Sequence, residues 1–330
     1  MRVLITGGTG FIGSRLALRC LAEGHDVAVL GQENTDAEAT NRRLLEAQGA
    51  DVITASVTDR ERLFAVMQGI ERVYHLAAAQ HEANVPDQHF WEVNVTGTQN
   101  LLDASVKAGV KRFIHGSTIG VYGSASSGVI DEQSPRQPDN IYGETKLAGE
   151  QRVLLQRDHL PVVIVRISET YGPGDYRLLK LFKAIQKRVF FMIGNGQNVH
   201  HLIYIDDLVE GLTLAATVAG AVGETVVLAG KETLTTDEMV ATIAAQLGTR
   251  IPKWRAPLPL FQAVATVLEK SLQPLGMQPP LHRRRLDFFR KSFVMSSAKA
   301  GKLLGFAPQW HFRDGVRATA QWYAEMGYLT

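Results

Sequence analysis

Along the first half of the chain, short apolar runs alternate with stretches whose apolar residues recur at helical spacing. The runs fall at residues 2–6, 26–30, 50–54, 72–75, 112–115 and 162–167, and are rich in Val and Ile. Between them the period lengthens. In 10–23 the apolar positions are Phe11, Ile12, Leu16, Leu18 and Leu21, and 60–67, 94–108 and 142–156 read the same way. Strands of this kind, each followed by a helix, predict a parallel sheet covered on both faces. From about Asp175 the pattern changes. Helical stretches continue, but the predicted strands are short and scattered, at 189–193, 200–203, 224–228 and near Trp254. Asp206 is placed to cap a helix over 207–219, and Thr236 one over 237–247. Pro252, Pro257, Pro259, Pro274, Pro279 and Pro280 interrupt the region. The pattern therefore predicts a large α/β domain over 1–174, to which a strand and a helix return from about 200–230. A smaller, mostly helical lobe follows over 175–330. A cleft between two such lobes suits a small-molecule substrate.

Composition narrows the field. The 330 residues are 45% hydrophobic and 21% charged, enough apolar material for a large core. A formal charge of +2 is too balanced to call for a nucleic acid or an acidic membrane as partner. Cys20 is the only cysteine, so no internal disulfide or thiolate metal cluster can form, and a reducing, cytoplasmic setting is expected. The chain passes from Met1 straight into its first motif, which is expected to leave no room for a cleavable leader. No apolar run reaches the length of a membrane span.

The first predicted strand ends in Thr6 and runs into Gly7-Gly8-Thr9-Gly10-Phe11-Ile12-Gly13. Glycines at Gly7, Gly10 and Gly13 between a strand and a helix have a physical reason. The first permits a tight turn, the second lets a pyrophosphate approach the backbone, and the third lets helix pack on strand. Free N–H groups at the helix end then face the phosphates. Such a triplet also occurs as a plain strand–helix turn, but its place at the head of a repeating α/β pattern favours a dinucleotide. The second strand ends Val29-Leu30-Gly31-Gln32. It carries neither the acidic residue that usually binds the adenosine ribose nor an arginine for a 2′-phosphate. Gln32 is the ribose candidate, Arg42 or Arg43 could swing in, and the choice between NAD and NADP stays open. Asp59, after the third strand, is a candidate for the adenine amino group, for a helix cap, or for both.

Tyr142-Gly143-Glu144-Thr145-Lys146 opens a predicted helix and puts Tyr142 and Lys146 on one face. A tyrosine loses its proton near pH 10 in water, too high for a base at neutral pH. A lysine cation about one turn away, with a positive nicotinamide ring, is expected to lower that value. The phenolate can then take a proton from a substrate hydroxyl as hydride leaves its carbon, and in reverse the phenol protonates a ketone. The same spacing is common on solvated helix faces. This pair is singled out by Gly116-Ser117-Thr118-Ile119-Gly120-Val121-Tyr122-Gly123, which follows the strand at 112–115. A hydroxyl at a strand's carboxyl end can orient a substrate oxygen, so Thr118 is the candidate, with Ser117 in support.

Further motifs follow in order. They are His75-Leu76-Ala77-Ala78, Asn94-Val95-Thr96-Gly97-Thr98, Tyr171-Gly172-Pro173-Gly174, Gly194-Asn195-Gly196 and Tyr204-Ile205-Asp206-Asp207. The tail adds Ala298-Lys299-Ala300 and Leu304-Gly305-Phe306-Ala307-Pro308. With the glycine turn, the Ser-Thr run and the Tyr/Lys pair, this order resembles the extended short-chain dehydrogenases, the NAD-dependent epimerase/dehydratase family, over nearly the whole chain. The resemblance implies a Rossmann-like doubly wound parallel sheet of about seven strands, with the helical C-terminal lobe binding substrate. It implies a tightly held NAD (NADP not excluded), a homodimer, and Thr118, Tyr142 and Lys146 as catalytic residues. Cofactor contacts are expected from Gly7, Gly10, Phe11, Ile12, Gly13, Gln32, Val57, Asp59, Ala77, Ala78, Asn94, Lys146 and Ile167.

The chain also departs from the family. Its dehydratases carry an acidic pair right after the catalytic hydroxyl, where this chain has Ile119 and Gly120, which argues against sugar 4,6-dehydration. Many nucleotide-sugar epimerases have Asn near position 169 and Arg near position 200, both on the substrate diphosphate. Here they are Glu169 and His200; a carboxylate repels a diphosphate and a neutral histidine attracts it weakly. Arg285 is the remaining phosphate-binding candidate. Residues 281–289 resemble instead the 3β-hydroxysteroid-dehydrogenase branch, whose substrates are apolar alcohols, and the apolar stretch 258–275 suits a pocket wall or a helix packed on the core. The substrate candidates are His81, Ser117, Glu169, His200 and Arg285. His200, His201, Asp206 and Asp207 are not read as a metal site, because adjacent histidines on a strand point to opposite faces. Arg283-Arg284-Arg285 reads as a solvated helix face rather than a nucleic-acid contact. Three functions remain open. The first is an NAD(P)-dependent oxidoreductase acting at a secondary alcohol or ketone, extending to epimerisation of a nucleotide sugar. The second is a dehydrogenase or reductase of an apolar alcohol or ketone. The third is a dinucleotide-binding regulator without catalysis, against which Tyr142 and Lys146 speak.

Overall fold

The computed structural model describes residues 1–80, 85–124, 128–252, 254–272 and 286–329. The six strands expected in the first half form as β1 (Arg2–Thr6), β2 (Asp26–Gly31), β3 (Asp51–Thr54), β4 (Arg72–His75), β5 (Arg112–Thr118) and β6 (Val162–Ile167). A seventh, β7 (Thr225–Leu228), returns from the second half. Their order is β7-β6-β5-β4-β1-β2-β3, with every neighbouring pair parallel. The strand order reverses between β1 and β4, so a crevice opens there at the carboxyl ends. Helices cover both faces, which is why the strands read as unbroken apolar runs: Val3, Leu4, Ile5, Val163 and Val165 have no exposed surface. β5 runs on through Gly116, Ser117 and Thr118, beyond the expected end at His115, because these pair with Val165, Arg166 and Ile167 of β6.

Between the strands lie α1 (Phe11–Ala22), α2 (Asp36–Ala47), α3 (Arg60–Val66), α4 (Asp87–Trp91), α5 (Gly97–Ala108) and α6 (Ile141–Leu155). A π-helical turn, Glu92–Thr96, joins α4 to α5, where a plain helix from residue 94 was expected. The second half contributes α7 (Tyr176–Gln186), α8 (Ile205–Thr217) and α9 (Thr236–Gln246), then α10 (Leu258–Leu272), α11 (Ala298–Leu304) and α12 (Phe312–Glu325). One apolar cluster joins Val3 of β1, Leu208 of α8, Met239 of α9 and Tyr323 of α12. Apart from β7, the scattered strands shrink to pairs of residues, such as Val199–His200 and Ile203–Tyr204.

Two caps differ from expectation. Asp206 does not cap α8 but lies in its first turn and pairs with Arg15 at 2.9 Å. Its neighbour Asp207 accepts the N–H groups of Gln309 and Trp310. α9 is capped by Thr235 in a reciprocal box with Glu238, while the Thr236 hydroxyl reaches the Asn198 side chain at 2.6 Å.

A buried ion pair fastens α6 to the sheet. Arg166 of β6 donates from Nε to Glu150 Oε1 at 3.0 Å and from Nη2 to Oε2 at 2.8 Å. The two side chains are 3% and 1% exposed. The Ser117 hydroxyl donates to the same Oε1 at 2.5 Å, and Arg166 Nη1 donates to the Tyr122 hydroxyl at 2.8 Å. Removing one member of such a pair strands a buried charge. Glu150→Ala is therefore expected to lower the unfolding free energy by about 3–5 kcal/mol in urea titration. The double change Glu150→Leu with Arg166→Met is expected to lose much less. Equal losses from the single and the double variant would contradict the coupling.

Candidate active site

The site begins at the turn between β1 and α1. Gly7 has φ +67°, and a Cβ there would stand 2.7 Å from the Ala77 nitrogen. On Gly13 a Cβ would stand 2.3 Å from the Gly7 carbonyl oxygen, so α1 can close on the turn only with glycine. The first bond of α1 runs from the Ser14 N–H to the Gly10 carbonyl, leaving Phe11, Ile12 and Gly13 without intrahelical acceptors. Such a helix end attracts an anion. Beside it opens a cavity of about 260 Å³. Its walls are the turn (Gly7, Thr9, Gly10), the end of β2 and the residues after it (Gly31, Gln32, Asn34), Glu38 of α2, and the residues after β3 (Ala55, Ser56, Val57, Thr58). The loop after β4 (Leu76 to Ala79) and His89, Glu92 and Val93 complete it.

Six of the expected cofactor contacts, Gly7, Gly10, Gln32, Val57, Ala77 and Ala78, line this cavity. Gly13 packs beneath the turn, Phe11 lies against Gly174, and Ile12 packs on the core. Ile167 ends β6. Asp59 caps α3 by accepting the Arg62 N–H at 3.0 Å and stands outside the cavity wall. Asn94, only 1% exposed, sits in the π-helical turn with its amide engaged. Its Oδ1 accepts the Ala79 N–H at 2.9 Å, and its Nδ2 donates to the Ala79 carbonyl and the Thr145 hydroxyl, both at 3.0 Å. It holds the cavity wall from behind.

Thr118 ends β5. Its Oγ1 accepts the Gly120 N–H at 3.0 Å, and the hydroxyl lies close enough to the Tyr142 phenol to act on it. Asn140 starts α6 by accepting the Gly143 N–H, which sets Tyr142 and Lys146 on successive turns. Burial pushes Tyr142 up to about 12, against which the Thr118 hydroxyl and the Arg177 charge pull it down. Lys146 is not among the groups that act on it, contrary to the expectation from spacing. Lys146 is 2% exposed and makes no hydrogen bond or ion pair with a described residue. Burial pushes it down to about 8, opposed by the Glu150 carboxylate. Two neutral histidines stand nearby. Burial first and the Lys146 charge second hold His75 down to about 3 and His115 well below its ordinary value. His75 bridges the hydroxyls of Thr6 and Thr98 at 2.8 and 2.9 Å, and among the described residues neither ring nitrogen of His115 has a hydrogen-bond partner. A glycine cradle, an anion-attracting helix end and a buried, unpartnered lysine together fit a phosphate-bearing dinucleotide with a ribose to be held.

Of the residues expected at the substrate, Glu169 and His200 come together. Glu169 Oε2 lies 3.0 Å from His200 Nδ1, and His200 Nε2 lies 3.1 Å from the Thr236 hydroxyl. Burial pushes Glu169 up, but the His200 hydrogen bond and the charges around it hold it below the usual carboxylate range. His201 turns elsewhere, donating to the Gly230 carbonyl and accepting the Met295 N–H. Among the described residues no group of three His, Cys, Asp or Glu is placed to hold a metal. Ser117 does not face substrate, because its hydroxyl is bound to Glu150 and is buried. His81 and Arg285 lie outside the described residues. Sequence reasoning missed Arg177. This half-exposed side chain is anchored on Asp175 at 3.0 Å and on the Thr170 carbonyl at 2.5 Å, and its charge acts on both Tyr142 and Glu169. Its signal is a basic residue in the first turn after Tyr171-Gly172-Pro173-Gly174.

A parallel sheet with a glycine cradle at its switch point and a Tyr/Lys helix beside it defines a dinucleotide-binding fold of short-chain dehydrogenase type. Residues 3–229 match the NAD dependent epimerase/dehydratase family, and the chain belongs to it. Among curated relatives, 3 beta-hydroxysteroid dehydrogenase/Delta 5-->4-isomerase of Mycobacterium tuberculosis is 29% identical over 349 residues, covering 98% of this chain and 91% of that protein. The dTDP-glucose 4,6-dehydratase of Streptomyces niveus is 28% identical over 340 residues, covering 98% and 93%. Among solved structures, UDP-glucuronic acid 4-epimerase from Bacillus cereus, in complex with UDP-glucuronic acid and NAD, superposes with a TM-score of 0.82. It is 26% identical, over 99% of this chain and 100% of that one.

A buried lysine held at about 8 weakens the fold at neutral pH, because the unfolded chain binds its proton more tightly. The cost is full below pH 8, shrinks as pH rises toward 10.5, and is absent above. Lys146→Met is expected to raise the unfolding free energy by about 3 kcal/mol at pH 7. That gain should fade between pH 8 and 10.5 in parallel melts of both proteins. A pH-independent difference would rule out a charge penalty.

Proposed function

We propose that this protein is an NAD-dependent oxidoreductase that moves hydride between its cofactor and a secondary alcohol or ketone. The observation that carries this reading is Tyr142 beside Thr118 and one helical turn from a buried Lys146, whose charge reaches His75 against Thr6 at the head of the glycine turn. Bound NAD supplies the hydride acceptor. The Thr118 hydroxyl holds the substrate oxygen, and Tyr142 takes its proton during oxidation and returns it during reduction. Lys146, largely protonated at neutral pH, is the group that would hold the nicotinamide ribose. The Arg177 charge favours the phenolate that accepts that proton.

The first substrate class is a nucleotide sugar, supported by the full-length likeness to the Bacillus cereus epimerase. The absence of an acidic pair after Thr118 favours oxidation and re-reduction in place, which is epimerisation, over elimination of water. The second class is an apolar alcohol, supported by the Glu169–His200 pair, which puts a carboxylate where a diphosphate would be repelled. The reading includes a homodimer and a cytoplasmic setting, the latter supported by the lone, buried Cys20. No helix among the described residues is long and apolar enough to cross a membrane.

Incubation with NAD and UDP-glucuronic acid should yield the epimer with no net NADH. A 3β-hydroxysteroid is the parallel probe, and NADH accumulating with it alone would select the second class. Tyr142→Phe should slow whichever reaction occurs by about 10²–10⁴-fold while leaving NADH binding intact. A Tyr142→Phe protein of undiminished rate would refute the proton role.

A further inference from the structure

We infer that Glu38, rather than a residue at the tip of β2, selects NAD against NADP. The inference rests on the dinucleotide reading of the cavity. At the tip, a Cβ on Gly31 would stand 2.4 Å from Thr9 Oγ1, so an acidic side chain there would displace the turn. The turn is itself fixed. The Thr9 hydroxyl donates to the Gln32 carbonyl at 2.9 Å, and Asn41 Nδ2 donates to the Thr9 carbonyl at 2.8 Å.

A carboxylate enters instead from α2. Glu38 is half-buried and lines the cavity beside Gln32 and Asn34. Its Oε2 accepts the Asn34 N–H at 2.8 Å and the Thr35 hydroxyl at 3.2 Å, while Thr35 Oγ1 accepts the Glu38 N–H. One oxygen is thus anchored, and Oε1 makes no hydrogen bond with a described residue. Oε1 is available to accept from a ribose 2′-hydroxyl, a charge-assisted bond.

A 2′-phosphate would fare differently. It carries about two negative charges near neutral pH. Among the described residues the cavity wall holds two carboxylates, Glu38 and Glu92, and no Lys or Arg. Arg42, expected from sequence to swing in, is held by Glu33 at 2.8 Å, Glu46 at 2.9 Å and the Thr54 hydroxyl at 3.0 Å. Arg43 is bonded to Thr40. The phosphate would meet like charge with no cation to offset it.

Fluorescence titration with NADH and NADPH, after exchange of any nucleotide carried through purification, tests the assignment without a substrate. The wild-type protein should bind NADH at least about tenfold more tightly than NADPH. Glu38→Gln keeps an oxygen for the Asn34 N–H and removes the charge, and it should narrow that ratio by about tenfold. Glu38→Arg should narrow it further or reverse it, and thermal melts establish that both variants are folded. A wild-type ratio near one, or a ratio unmoved by either substitution, would overturn the role of Glu38 and leave the dinucleotide reading standing. Binding of neither nucleotide would overturn both.

Discussion

Glu150 and Arg166 form the ion pair on which the geometry of the site depends. Taking two charges out of water is expensive, and a pair this deep is weak support for stability by itself. Its value is positional. Glu150 lies one turn beyond Lys146 on α6, Arg166 lies on β6, and Ser117, bound to the same carboxylate, precedes Thr118 on β5. A single carboxyl group thus sets the helix carrying Tyr142 and Lys146 against the strand carrying Thr118. It also acts electrically, because it opposes the desolvation of Lys146 and keeps that amine mostly charged at neutral pH.

The fold was legible because its strongest determinants are local. Strands buried on both faces must be apolar throughout, and the glycine turn is needed within a few residues of where it is written. What escaped depends on distant partners. Gly116-Ser117-Thr118 is expected beyond the strand's end at His115 and forms strand only because β6 lies alongside. Asp206 looks like a cap, but its partner Arg15 is 191 residues away. Thr236 likewise answers to Asn198.

The site divides in the same way. The glycine turn, and Thr118, Tyr142 and Lys146 as candidates, could be named from spacing and context. Ser117 was misplaced because neighbouring residues on a strand point to opposite faces, so once Thr118 faces the cleft its neighbour faces Glu150. Glu38 and Arg177 have no motif. One acts through a capping geometry that happens to line the cavity, the other through the path α7 takes past Tyr142 and Glu169.

Burial moves the phenol and the amine of the Tyr/Lys pair in opposite directions, and each shift favours the neutral form. The charged pair that proton transfer requires is therefore opposed by the protein's own interior, and positive charge from outside the pair must favour the phenolate. Arg177 is one source, and it is shared with Glu169. A substrate group that engages the Glu169 carboxylate leaves more of the Arg177 charge to act on Tyr142. A substrate anion bound to Arg177 would do the reverse and hold the phenol in its neutral form. Any charge brought to Glu169 or Arg177 therefore also sets how readily Tyr142 gives up its proton.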